Sequence, residues 1–291
     1  MSRDIWNPRQ YRAYSSERAR PFFELLARVD VEAPAYVVDL GCGPGERTAD
    51  LATRWPGAVI EGVDSSGQMI SEARHMLRQP PGTDTHTPAH PNAEDAPGAA
   101  QGGGVLRFSV GDLAEWAPDR AVDVIFSNAA LQWVPEHRRL LSRWVEALAP
   151  GGRLAFGMPG NFEGPSHVLL RELCESPRWG DRLGAVNRHN VVGDPADYFE
   201  LLSDLGCDVD AWETTYLQVL HGLDPVLAWM KGTALRPALD VLTDEGEREE
   251  FLGELAVLLR QAYPPGRHGT VFPFRRVFVV ARPKASPPRS S

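Results

Sequence analysis

The chain has 291 residues, 43% of them hydrophobic and 24% charged, with a formal net charge of -9. That length suits one large α/β domain with an insertion. The acidic balance disfavours non-specific binding to nucleic acid or anionic membrane. Cys42, Cys174 and Cys207 are too scattered for a disulfide framework or a metal site, which fits a reducing cytoplasm. No apolar run matches a transmembrane helix, and the first residues, with Arg3, Asp4 and Trp6, lack an apolar signal core.

Residues 1–14 place Trp6, Tyr11 and Tyr14 among charges. They read either as an arm pinned to the core by its aromatics or as a lid over a ligand. Ser15-Ser16-Glu17 suggests a helix start, and Phe22, Phe23, Leu25, Leu26 and Val29 give that helix an apolar face. These segments make up a unit over 1–30. The next unit, 31–282, opens with Tyr36-Val37-Val38-Asp39-Leu40-Gly41-Cys42-Gly43-Pro44-Gly45. An apolar strand ends in an acid, and three glycines alternate with other residues. Glycine allows the sharp turn and the close approach of backbone to a ligand, and a following helix aims free N–H groups at the turn. This is a nucleotide-type cofactor turn at the carboxyl end of a parallel strand. A dinucleotide fingerprint needs G-x-G-x-x-G, but the third glycine comes one residue early and position 46 is Glu.

A helix is expected from about Glu46 to Arg54. A second strand, Val59 to Asp64, ends in an acid about 25 residues beyond Asp39, placed to accept from both hydroxyls of a ribose. Ser65 and Ser66 should cap the next helix, with Met69, Ile70 and Ala73 facing inward. Residues 78–104 lack bulky apolar side chains, start at Pro80-Pro81-Gly82 and close on Gly102-Gly103-Gly104. They read as a disordered surface insertion; the irregular spacing of His75, His86 and His90 argues against a metal site. Val105 to Val110 is a third strand, and Asp112 with Leu113 follows it. Val122 to Asn128 reads as a central parallel strand. Ala129-Ala130-Leu131-Gln132-Trp133 leaves its carboxyl end, and a helix over Glu136 to Leu148 is expected to stop at Pro150-Gly151-Gly152 before a strand at 153–158.

Five strand–helix alternations define a doubly wound, mostly parallel α/β sheet. Beyond it, helices are expected at Pro165 to Ser176, after Asp194-Pro195, and at about 224–232 and 244–262. Strands are expected at Asp208 to Val219 and Val271 to Ala281. The last two strands would pair antiparallel, with a helical cap over about 220–265 between them. Residues 283–291 read as a disordered tail.

The acids after the first three strands, with the Asp39 to Gly45 turn, resemble the class I S-adenosylmethionine (SAM)-dependent methyltransferases, a Rossmann-like seven-stranded fold. Trp6-Asn7-Pro8, Asp64-Ser65-Ser66, Asn128-Ala129-Ala130-Leu131-Gln132-Trp133, Gly232-Thr233-Ala234-Leu235-Arg236-Pro237 and Phe274 to Arg282 are similar to the trans-aconitate 2-methyltransferase family. The Asn-x-x-Leu-Gln-Trp run is also similar to malonyl-carrier-protein methyl ester synthases. The resemblance implies SAM as cofactor and methyl transfer to a carboxylate of trans-aconitate, giving a monomethyl ester. It places Asp39, Gly41, Gly43, Gly45, Asp64, Ser65, Met69, Asp112, Leu113, Asn128, Gln132 and Trp133 at the cofactor.

A carboxylate is ionised at neutral pH, so no catalytic proton-transfer residue is named. A tricarboxylate needs local cations inside an acidic protein. The candidates are Arg171, Arg236 and Arg275, with Trp6, Tyr11 and His167 as further substrate contacts. Other readings are methylation of a carrier-bound or different small acid, and a SAM-binding regulator without turnover. Asn-Ala-Ala-Leu at 128–131 is not the amino-methylating Asn/Asp-Pro-Pro-Tyr motif, which disfavours a nucleic-acid methyltransferase. A monomer without a membrane, metal or nucleic-acid partner is expected.

Overall fold

The computed structural model describes residues 15–78, 103–186 and 191–285. In chain order these form α1 (Ser15–Ala27), β1 (Tyr36–Leu40), α2 (Glu46–Arg54), β2 (Val59–Asp64), α3 (Gly67–Arg78), β3 (Val105–Val110), β4 (Val122–Asn128) and a 3-10 turn (Leu131–Trp133). Then come α4 (His137–Glu146), β5 (Leu148–Pro159), α5 (Pro165–Glu175), α6 (Gly180–Leu183), α7 (Pro195–Asp204), β6 (Cys207–Leu220), α8 (Pro225–Lys231), α9 (Arg236–Val241), α10 (Glu245–Ala262) and β7 (Thr270–Pro283). The arm with Trp6 and Tyr11, the body of the 78–104 insertion and the end of the tail lie outside the described residues.

The strands make one seven-stranded sheet in the order β3-β2-β1-β4-β5-β7-β6. β1 to β5 run parallel, and β7 enters antiparallel between β5 and β6. Side chains alternate across the sheet, so each strand feeds two cores. Val38, Leu40, Ile125, Leu154 and Phe156 pack with Leu141 and Trp144 of α4 and Tyr198 and Leu202 of α7. Val37, Val124, Phe126 and Ala155 pack with Phe22 and Leu25 of α1 and Leu51 of α2. The strand order reverses between β1 and β4, the crevice where such sheets hold their ligands.

A third apolar cluster joins α5, α6 and the three helices between β6 and β7, through Leu173, Trp179, Trp229, Met230, Leu235, Phe251, Leu255 and Phe272. Arg178, in the turn between α5 and α6, reinforces it by donating to Glu254 of α10 at 2.7 Å. α9 differs from the expectation, which placed no helix at 236–241. Pro237 sits in its first turn, where the missing N–H is harmless, and Leu235, Ala238 and Leu242 are buried around it. A further difference is at Pro150-Gly151-Gly152. The helix α4 has already ended, and Leu148 already pairs with Val122. The glycines form an irregularity within β5, with Gly151 at φ 82, rather than a helix stop.

Candidate active site

The cofactor turn is built from backbone. Gly41, Gly43 and Gly45 have φ of 80, 56 and 85, the left-handed region where a side chain is strained. A Cβ on Gly41 would meet Ala130 Cβ at 2.1 Å, so this glycine lets β1 and the β4 connection touch. A Cβ on Gly45 would meet Phe108 Cζ at 2.6 Å. At Gly43 a Cβ would meet nothing within 4 Å, which leaves bare backbone facing open space. The Gly43 N–H donates to Asp64 Oδ2 and the Ser66 N–H to Asp64 Oδ1, both at 2.9 Å. The acid ending β2 is thereby fixed beside the turn. Asp112, exposed beyond β3, is held by the Ala114 N–H at 2.8 Å. Leu113 is buried and comes within 3.7 Å of a Cβ placed on Gly41. Two oriented carboxylates and an uncovered glycine backbone fit a nucleoside cofactor.

Asp39 faces inward. It is 3% exposed and accepts from Thr48 Oγ1 at 2.7 Å. Burial, with the Asp64 carboxylate adding to it, pushes its carboxyl up to about 7 against the Thr48 hydrogen bond. Thr48 was not singled out from sequence, although a hydroxyl on the first turns of α2, facing the β1 acid, is a readable pairing. Ser66, not Ser65, caps α3, its Oγ accepting from the Met69 N–H at 3.2 Å; Ser65 is exposed and Met69 is buried.

Beyond the carboxyl end of β4 lies a cavity of about 490 Å³. Asn128, Gln132 and Trp133 line it, as do His167 and Arg171 of α5. The backbone at its mouth is strained: Ala129 has φ 61. Gln132 is buried; its Nε2 donates to Ala129 O at 2.6 Å, and its Oε1 has no hydrogen-bond partner among the described residues. His167 sits between Asn161 Nδ2 at 3.3 Å and Ser166 Oγ at 3.2 Å. Burial, helped by the nearby Arg171 charge, lowers its pKa to about 4, so the imidazole is neutral at pH 7. Among the described residues Arg171 pairs with Glu163, at 3.5 Å, and that carboxylate is largely in solvent.

The remaining two arginines are placed differently from the expectation. Arg236 opens α9; Pro237 and Ala238 line the cavity but Arg236 does not, and its Nε is buried with no hydrogen-bond partner among the described residues. Arg275 lies outside the cavity, held by Glu213 Oε2 at 2.5 Å and Asp194 Oδ1 at 2.7 Å. Its neighbour Arg276 lines the cavity and donates to Asn128 Oδ1 at 2.6 Å. Successive residues of a strand face opposite ways, so a sequence reading that names the pair and picks one of the two has to find the strand phase. Val277 and Val279 in one core and Phe278 and Val280 in the other carry that phase. Among the described residues no carboxylate lines the cavity. None of the described residues group into a metal-binding cluster, and none of the described helices is long and apolar enough to cross a membrane.

Residues 11–212 match a family model described as a methyltransferase domain. The fold aligns with a putative sarcosine dimethylglycine methyltransferase from Galdieria sulphuraria at a TM-score of 0.54 and 16% identity, covering 96% of this chain and 90% of that one. It also aligns with the Haemonchus contortus phosphoethanolamine N-methyltransferase 2 bound to S-adenosylhomocysteine, at a TM-score of 0.51 and 16% identity, over 91% of this chain and 53% of that one. The sheet order, the glycine turn and the fixed acids after β2 and β3 define a class I methyltransferase that uses SAM. Curated relatives narrow this. The chain is 48% identical over 285 residues to the trans-aconitate 2-methyltransferase of Streptomyces avermitilis, covering 96% of this chain and 97% of the relative. It is 48% identical over 281 residues to that of Rhodococcus jostii, covering 96% and 99%. The chain belongs to the trans-aconitate 2-methyltransferase family, and it is an enzyme acting on a small molecule.

Proposed function

We propose that this enzyme methylates one carboxylate of trans-aconitate, giving a monomethyl ester and S-adenosylhomocysteine. The observation that carries this reading is the lining of the cavity at the end of β4: Arg171 and Arg276 supply positive charge, and among the described residues no carboxylate lines the space with them. In a chain of net charge -9, such a pocket concentrates an anionic substrate.

SAM supplies a methyl group on a sulfonium that leaves as a neutral thioether. Asp64 and Asp112 are placed to hold the nucleoside part, with the bare backbone at Gly43 beside them. The chain's remaining tasks are to orient a carboxylate oxygen and to strip it of water. Arg276 and Arg171 bind carboxylates by charge-assisted hydrogen bonds. Gln132 and the neutral His167 complete the wall without competing for a proton, because an ionised carboxylate needs no base.

The test is labelled methyl transfer from SAM to trans-aconitate, alongside cis-aconitate, citrate and a malonyl carrier protein. Base-labile label on trans-aconitate is the expected result. Label on the carrier protein alone would move the reading to carrier esterification. No label on any acceptor, with SAM binding seen by calorimetry, would overturn the substrate.

A further inference from the structure

The floor of the cavity is one face of β7. Phe272, Phe274 and Arg276 alternate along the strand and all three line the space. At about 3.4 Å per residue the line from Arg276 to Phe272 spans roughly 14 Å of backbone. β5 stops at Pro159, opposite Arg276, so beyond that point the floor is the β6–β7 pair alone, with Phe274 beside Tyr216 and Phe272 beside Gln218. Along this strand the charge therefore sits at one end, next to Asn128 of β4. The other end is aromatic: Trp229 of α8 meets Phe274 at 5.3 Å and Phe272 at 5.9 Å between ring centroids, and Met230 also lines the space.

A carboxylate laid on the faces of those rings would lose its water and gain no hydrogen bond from Phe272 or Phe274 in return. An alkyl or aryl group would gain by the same burial. A cavity of 490 Å³ also falls within the roughly 300–1,000 Å³ of pockets that enclose drug-sized molecules.

We propose that the site accepts dicarboxylic acids bearing an apolar arm, of the alkyl- or aryl-substituted succinate class, with a carboxylate at Arg276 and the arm over Phe274, Phe272 and Trp229. This rests on the carboxyl-methylation reading and extends it. The reaction balances as for the tricarboxylate. A carboxylate oxygen forms a bond to the methyl carbon, the carbon–sulfur pair leaves on sulfur, and no proton moves.

The experiment is kcat/KM for labelled methyl transfer by the full-length enzyme across a series of 2-alkylsuccinates from methyl to hexyl, with trans-aconitate in parallel. The expected result is a rise of about fourfold per methylene, the factor given by ~0.8 kcal/mol per buried CH2, until the arm fills the aromatic end. Phe274→Ser should flatten that rise; should this variant fail to fold, the wild-type series decides alone. A flat or falling series with trans-aconitate labelled would overturn the apolar-arm proposal and leave carboxyl methylation standing. No label on any acid, trans-aconitate included, while SAM binding persists, would remove the carboxyl-methylation reading itself.

Discussion

Arg276 Nη2 donates to Asn128 Oδ1 at 2.6 Å, tying the antiparallel strand β7 to the carboxyl end of β4 across β5. Arg276 is 5% exposed and lines the cavity, so solvent screens its charge little. Arg276→Gln keeps a donor but removes the charge. A hydrogen bond to a charged group is worth about 1.5–3 kcal/mol, so kcat/KM for the acid should fall about 10- to 150-fold, with SAM affinity by calorimetry unchanged. Arg275→Gln removes ion pairs to Asp194 and Glu213 and a hydrogen bond to Gly160 O, all outside the cavity, and kcat/KM should stay within about twofold. Equal losses in the two variants would return Arg275 to the site.

The glycine turn makes a graded prediction. Gly41→Ala meets Ala130 Cβ at 2.1 Å at φ 80, so it disrupts the contact between β1 and the β4 connection. Stability in urea should drop by several kcal/mol through overpacking and strain together. Gly43→Ala meets no neighbour but still carries φ 56, a cost of about 1–2 kcal/mol. The protein should fold, yet calorimetry should show SAM binding weakened at least about tenfold, because the new methyl fills the space left to the cofactor. Undiminished SAM binding by a folded Gly43→Ala variant would place the cofactor away from this turn.

What the sequence made legible follows from how local the causes are. The β1 acid, the glycines and the acids after β2 and β3 lie within a few residues of strand ends, so alternation and turn chemistry locate them. The cavity is different. Arg276 meets Asn128 across 148 positions of chain, and which of Arg275 and Arg276 does so depends on strand phase. Gln132's unpartnered Oε1, Asn161 beside His167, and the aromatic wall of Phe272, Phe274 and Trp229 come together only when α5 and the helices between β6 and β7 fold over the sheet. The 236–241 helix was hidden because six residues are too few for a periodic pattern, and its Pro reads as a breaker until its place in the first turn is known.

A buried polar chain ties α4 to α7. His137 Nδ1 lies 2.9 Å from Val134 O, its Nε2 lies 2.8 Å from Tyr198 Oη, and the Gly193 N–H donates to that hydroxyl at 3.1 Å. Burial lowers the His137 pKa, so the ring is neutral; Nδ1 carries the proton and Nε2 accepts from Tyr198. Tyr198→Phe leaves Nε2 and the Gly193 N–H unsatisfied in the core. At about 1–3 kcal/mol for each orphaned group, urea unfolding should show a loss of roughly 2–5 kcal/mol. A change below about 0.5 kcal/mol would mean that water replaces the hydroxyl.

Asp39 and His167 should oppose each other in the pH dependence of stability. His167 falls from 6.5 to about 4 on folding. Between those values the unfolded chain holds the extra proton, so this contribution is complete above about 6.5 and is lost as pH falls toward 4. Asp39 rises from 3.8 to about 7. Here the folded chain holds the extra proton, so its contribution is complete below about 3.8 and is lost as pH rises toward 7. Each slope is about 1.4 kcal/mol per pH unit for one proton, and their windows overlap, so together they nearly cancel. Urea unfolding between pH 4.5 and 6.5 should show this by subtraction. Relative to wild type, His167→Phe should become less stable with rising pH, and Asp39→Asn more stable with rising pH. Parallel stability curves for both variants and wild type would mean that neither group titrates as its burial dictates. His167 stays neutral through the range in which the enzyme would be assayed, so it should add no inflection to the kcat/KM profile between about pH 5.5 and 8.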